Sequence, residues 1–219
     1  MGLLLEGLWG YYTSSSLRQD GLEMAWLVDH QYNDFACLDR EAEWDPRTRA
    51  GEFFRVEAKS MAIGADEPKA HFDELAQNIE PVDLLVVIAW EWRLDAGRNW
   101  PAVQEIFVNE ALPIAQLRDS LHIARGGTFV DRATCPDGCS SAVCPHHGEP
   151  LNSKGKRERV TGPSSRRVSG GVSHAANFGG LIRMLKARKE TARTILEVQR
   201  RDNRVGSAYI EFIDRTFKR

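Results

Sequence analysis

FRVEAKSM, residues 54–61, sets an acid and a base, Glu57 and Lys59, one residue apart inside an apolar run. The aromatic and β-branched content reads as a strand. Side chains alternate along a strand, so Phe53, Arg55, Glu57, Lys59 and Met61 share one face, and Phe54, Val56, Ala58 and Ser60 share the other. Two opposite charges therefore project side by side near the end of an otherwise apolar segment. Burying them without partners would be costly, so compensating groups are expected close by. An edge strand using charge to resist aggregation is the plainer explanation. The order of the neighbouring elements weighs against it.

Working upstream, TSSSLRQDGLEMAWLVDH (residues 13–30) opens with hydroxyl residues able to cap a helix. Leu17, Met24, Leu27 and Val28 would line its apolar face, with Gly21 as a weak point. NDFACLDREAEW reads as extended, and DPRTRAG has the Pro and Gly punctuation of a turn, so residues 34–61 are expected to form a β-hairpin. Downstream, DEPKAHFDELAQNI is expected to be helical, with Asp66 as cap and Pro68 in its first turn. VDLLVVIAWEW fits a buried central strand. QEIFVNEAL follows as a further strand, and IAQLRDSLHIARG as a helix stopped by Gly126 and Gly127. Residues 148–175 read as a polar, basic loop. NFGGLIRMLKARKETARTILEVQRRD is expected to be one helix, and SAYIEFIDRTF a short strand. The sum is an α/β sandwich, a mixed sheet with helices on both faces.

Glu-x-Lys at the end of a hairpin's second strand, followed by a helix and a buried apolar strand, resembles the PD-(D/E)XK nuclease superfamily. The resemblance covers roughly residues 15–95. It implies a restriction-endonuclease-like fold and a Mg2+ ion held by Glu57 and an acid of the first hairpin strand. Asp34 is the first choice for that acid, preceded by Asn33 where many members carry proline. Asp39 is the alternative, because a symmetric hairpin about residue 48 would set it opposite Glu57. Lys59 would orient the attacking water. Glu23, on the preceding helix, would be the auxiliary carboxylate, with Glu6 competing for the role. The chemistry is coherent: carboxylates hold a hard cation, the cation acidifies water, and a lysine neutralises charge developing in the transition state.

CPDGCSSAVCPHHGEP brings Cys135, Cys139 and Cys144 within ten residues, ahead of His146 and His147. Three thiols and one imidazole suit tetrahedral Zn2+, with His146 preferred over His147. With no open position left, such a zinc would be structural. Cys37, far away in sequence, is expected to be a buried core thiol.

The net charge of -2 hides a division: residues 1–150 carry 12 Lys and Arg against 25 Asp and Glu, and residues 151–219 carry 17 against 6. Such asymmetry points toward a polyanion partner. Lys154, Lys156, Arg157, Arg159, Arg166 and Arg167 would neutralise phosphates. No apolar run reaches the roughly 20 residues of a membrane helix, the opening MGLLLEGLWGYY lacks the basic start of a signal peptide, and the cysteines are not spaced as a secreted disulfide framework. The setting expected is cytoplasmic. The chain is thus expected to comprise a nuclease-like α/β core over 1–130, a small zinc-binding loop over 131–150, and a basic loop and C-terminal helix over 151–219. The activity expected is Mg2+-dependent DNA hydrolysis, in restriction or anti-phage defence, by a homodimer or a subunit of a larger defence complex. Two other readings compete: a non-catalytic nucleic-acid-binding subunit on a nuclease-like scaffold, and a zinc-stabilised protein-interaction module.

Overall fold

The computed structural model describes residues 1–27, 33–65, 71–158, 167–168, 171–172, 178–199 and 203–217. The chain resolves into two compact units, one of Met1–Ala70, Glu80–Leu112 and Glu211–Arg219, the other of His71–Ile79 and Pro113–Ile210. The first therefore draws on both chain ends and stops short of residue 130.

In the first unit α1 (Gly2–Leu17) is followed by a 3-10 turn (Arg18–Asp20) and by β1 (Leu22–Trp26). The expected helix over 13–30 thus ends early. Gly21 is its stop, with φ 76 in the left-handed region that favours glycine. Beyond it Leu22–Trp26 pairs antiparallel with β2 (Phe35–Asp39), Leu22 opposite Asp39 and Trp26 opposite Phe35. Helix α1 packs closely: a Cβ at Gly10 would fall 2.2 Å from the Phe35 ring, and Trp9 meets that ring edge-on at 5.8 Å. The buried Ser14 accepts a hydrogen bond from Met24 N at 3.1 Å, fixing the helix against β1.

β2 and β3 (Glu52–Ala62) form the expected hairpin, with Phe35 opposite Val56. β3 then runs parallel to β4 (Leu84–Asp95), from Val56 opposite Leu84 to Ala62 opposite Trp90. A parallel pair needs a long crossover. Among the described residues that crossover holds only a 3-10 turn, Ala76–Asn78, where a helix was expected; Asp66 and Pro68 lie outside them. β5 (Arg98–Glu110) completes a five-stranded mixed sheet in sequence order, antiparallel to β4. Phe35, Val56, Ala58, Val86 and Ile88 make a core on one face, packed against Trp9. Glu57 and Lys59, alternating with Val56 and Ala58, are left to the other face.

The second unit is built on α2 (Ala111–Ala124), most of which belongs to it, with α3 (Leu181–Ala187) and α4 (Lys189–Val198). The single helix expected over the last two is interrupted at Arg188, whose φ of -139 and ψ of 42 are not helical. Arg118 of α2 is fully buried. Its guanidinium lies 4.1 Å from the Phe178 ring centroid and donates to Phe72 O at 2.7 Å. His122 packs in the same core, its Nε2 2.9 Å from Leu151 O, as a structural histidine should. Short strands β6 (Thr128–Phe129) and β7 (Pro150–Leu151) pair antiparallel, as do β8 (Arg167–Val168) and β9 (Gly171–Val172).

The expected C-terminal strand is instead helix α5 (Asn203–Thr216). Tyr209, Ile210, Phe212 and Ile213 are all buried, a spacing of one, three and four that only a helix turns to one side. Its last turns lie on β5: Phe212 meets Phe107 at 5.3 Å between ring centroids, and Glu105 accepts from Arg215 at 2.6 Å.

Candidate functional site

Antiparallel pairing decides which acid meets Glu57. Asp34 N donates to Val56 O at 2.9 Å, and one residue on in the register Asp34 comes level with Glu57. Its Oδ2 accepts from Ala58 N at 2.8 Å. Glu57 is buried and accepts from Asn33 N through Oε2 at 3.1 Å. Lys59 forms an ion pair with Glu57 and reaches Asp34 Oδ2 at 3.8 Å, so one ammonium stands between two carboxylates. Burial and the neighbouring Asp34 charge push the Glu57 carboxyl up to about 7, against the pull of Lys59. Burial also works against the Lys59 ammonium, but the carboxylates of Glu57, Asp34 and Glu6 outweigh it and hold its pKa above the ordinary value.

Asp39, the alternative partner, is elsewhere. Its N–H donates to Gly51 O at 3.1 Å, a register shift intervenes between Cys37 and Leu38, and Glu57 is six residues further along β3. Glu23 is corrected too. It sits on strand β1, not on a helix, and lies 3.9 Å from Arg40 in an exposed pair. The helical carboxylate beside the site is Glu6 of α1, which accepts from Ser60 N at 2.7 Å. The sequence offered both acids. Reading Gly21 as a helix stop would have put Glu23 on a strand and left Glu6 as the helical one.

A second charged cluster occupies the other end of β3. Arg55 donates through Nε to Glu52 at 2.7 Å. Residues three apart point to opposite faces of a regular strand, and the nearby register shift is what breaks that alternation. Asp83, fully buried, accepts from Arg55 N at 2.9 Å and Glu80 N at 3.0 Å and pairs with Arg49. Burial opposes the charge on Glu52, yet hydrogen bonds from Arg55 and Trp44 bring its carboxyl below the usual range.

In the second unit Cys135, Cys139 and Cys144 place their sulfur atoms within 4.8 Å of one another, a group able to hold a metal ion. Cys139 and Cys144 are 3.2 Å apart. Hydrogen bonding from Cys139 draws the Cys135 thiol down, while bonds to Cys144 and Cys135 push Cys139 up to about 12. Three crowded thiols that cannot all ionise unaided are a donor set that suits a soft cation. The loop is anchored by a small core of Val130, Cys144 and Leu151. His146 is not part of that group of three. Its Nδ1 is 3.1 Å from Glu149 Oε1 and its Nε2 3.5 Å from Asp137 Oδ2. His147 contributes backbone, its N–H 3.3 Å from Cys144 O. Cys37 is the buried thiol expected, and burial raises its pKa.

Of the basic residues, Lys154 and Lys156 are exposed, their backbone N–H groups held by Asn152 Oδ1 at 2.9 and 3.1 Å. Arg157 is committed to the thiol loop, paired with Asp137 and with Glu149 at 3.0 Å. Arg159 and Arg166 lie outside the described residues, as does the side chain of Arg167 on β8. No helix among the described residues is long and apolar enough to cross a membrane. No family model, curated protein or solved structure matches the chain.

Proposed function

We propose that the protein is a Mg2+-dependent endonuclease of the PD-(D/E)XK type, hydrolysing DNA phosphodiester bonds. The observation that carries the reading is the meeting of Asp34, Glu57 and Lys59 at one end of the β2–β3 hairpin, with Glu6 beside them. The element order supports it in part: a helix, three antiparallel strands, a crossover and a parallel strand follow in turn, while the crossover holds a 3-10 turn among the described residues where the resemblance implies a helix. The donors are hard oxygens, which fit magnesium and not a soft metal.

Bound magnesium would polarise a phosphoryl oxygen and make its water more acidic. Asp34 and Glu57 would hold the ion. Lys59 now supplies the positive charge between those carboxylates; freed from them, its ammonium would orient the attacking water and offset charge developing on the phosphate. Glu6, fixed by Ser60 N, is the auxiliary carboxylate. In the thiol loop Cys135, Cys139 and Cys144 would hold a structural zinc. His146 is the proposed fourth ligand, its Nδ1 already turned to Glu149, the carboxylate–histidine arrangement that orients a metal-binding imidazole. Contact with DNA through Lys154, Lys156 and the basic residues beyond them, a homodimeric or multi-subunit state, and a role in cytoplasmic restriction or anti-phage defence belong to the same family reading.

Supercoiled plasmid incubated with the protein and magnesium tests it. Nicking or linearisation that stops with EDTA and in Glu57→Ala and Lys59→Ala is expected. Unchanged cleavage by both variants would defeat the assignment, and no cleavage by the wild type would favour the scaffold alternative.

A further inference from the structure

Asn33 combines two unfavourable features at one position. Its φ is 94, a region that non-glycine residues rarely enter and that asparagine enters more readily than most. It is also 3% exposed, and its buried side-chain Nδ2 has no hydrogen-bond partner among the described residues. A buried donor left unpaired is destabilising and uncommon in native proteins. Glycine would remove both features. The position is not arbitrary: Asn33 N donates to Glu57 Oε2 at 3.1 Å, and the next residue is Asp34. Strain and an idle donor thus coincide at the residue whose backbone N–H holds Glu57 and which precedes Asp34.

We propose that Asn33 is a substrate contact, its Nδ2 donating a hydrogen bond to a non-bridging oxygen of the phosphodiester at the Asp34–Glu57–Lys59 centre. The assignment rests on the nuclease reading and deepens it. A phosphate oxygen is acceptor-only and matches the missing partner. The charge of the donor matters as well. A second cation here would compete with the metal for Asp34 and Glu57, whereas a neutral amide grips the anion and leaves both carboxylates to the metal.

Asn33→Gly retains the backbone N–H and suits the positive φ, so it removes the amide alone. Three measurements on the whole 219-residue chain decide the matter: thermal melting, Mn2+ affinity by calorimetry, and binding of a fluorescent DNA duplex in Ca2+. The variant is expected to melt no lower than wild type, to keep its Mn2+ affinity, and to bind the duplex about tenfold more weakly. Equal duplex affinity would overturn the assignment alone. So would a lower melting temperature, which would make the amide structural, or lost Mn2+ affinity, which would make Asn33 a support of the metal site. A wild type that shows no metal-dependent duplex binding would overturn the nuclease reading and this contact together.

Discussion

The two ends of β3 carry the same kinds of side chain to opposite effect. At its start Arg49, Glu52, Arg55 and Asp83 form a closed set, in which two guanidiniums and two backbone N–H groups answer two carboxylates. Near its far end one ammonium serves both Asp34 and Glu57, Glu57 is pushed up to about 7, and the Asn33 Nδ2 has no hydrogen-bond partner among the described residues. A buried ionic cluster that satisfies its own members holds a fold together. One that does not is prepared for something else. The presence of charge in a strand is therefore a poorer guide to function than its incomplete neutralisation.

Removing a member of the closed set should have the largest effect on stability. Asp83→Ala takes the acceptor from two backbone donors and leaves Arg49 with Glu52 at 3.3 Å and Glu80 at 3.8 Å; it is expected to cost about 3–5 kcal/mol, read as a lower denaturant midpoint. A loss below about 1 kcal/mol would mean that the network is not structural.

At the open end the signature is pH dependence. The folded-state pKa of Glu57 is raised, so the folded protein holds a proton there that the unfolded chain releases near 4.5. Its contribution is complete below pH 4.5 and is lost as pH rises through about 7, an order of about 3 kcal/mol for a shift of that size. The stability difference between wild type and Glu57→Gln should follow that window. A difference that stays flat between pH 4.5 and 8 would show Glu57 to be no more strained than Glu52.

The thiol loop extends the comparison to the second unit, where three thiols crowd within 4.8 Å of one another. Purified protein is expected to contain about one zinc per chain, measured by elemental analysis, and Cys144→Ser to lose it together with several degrees of melting temperature. Full retention of zinc in that variant would place the ion elsewhere. The smallest effect belongs to Glu23→Gln, whose exposed pair with Arg40 should be worth less than about 0.5 kcal/mol, with cleavage unchanged. Under the nuclease proposal Glu6→Gln, by contrast, should slow cleavage.

The sheet was legible where its signals were local. The hairpin, the buried run of β4 and the helix stopped at Gly126 all follow from alternation, apolar length and glycine punctuation. Four elements were not, among them the helix broken at Arg188. Gly21 sits amid residues that fit either period, so a helix stop looked like a weak point within a helix. DEPKAHFDELAQNI has helical composition, yet its described part is extended around one 3-10 turn, with Phe72 N bound to Gly179 O over a hundred residues away. SAYIEFIDRTF alternates in places, but burial of Tyr209, Ile210, Phe212 and Ile213 follows the helical period. At the site Glu57 and Lys59 could be singled out from spacing and element order, and Asp34 from the family resemblance that these carry. Glu6 ranked second because its helix was misplaced. Asn33 drew notice only as a substitute for proline; its positive φ and idle amide are properties of the folded chain.

The most direct measurement is calorimetric titration of Mn2+ into wild type, Glu57→Ala and Asp83→Asn at pH 8. Binding by wild type and Asp83→Asn, absent from Glu57→Ala, is the predicted result, since only the unsatisfied end of β3 has carboxylates to give. Equal binding by all three, or by none, would contradict it.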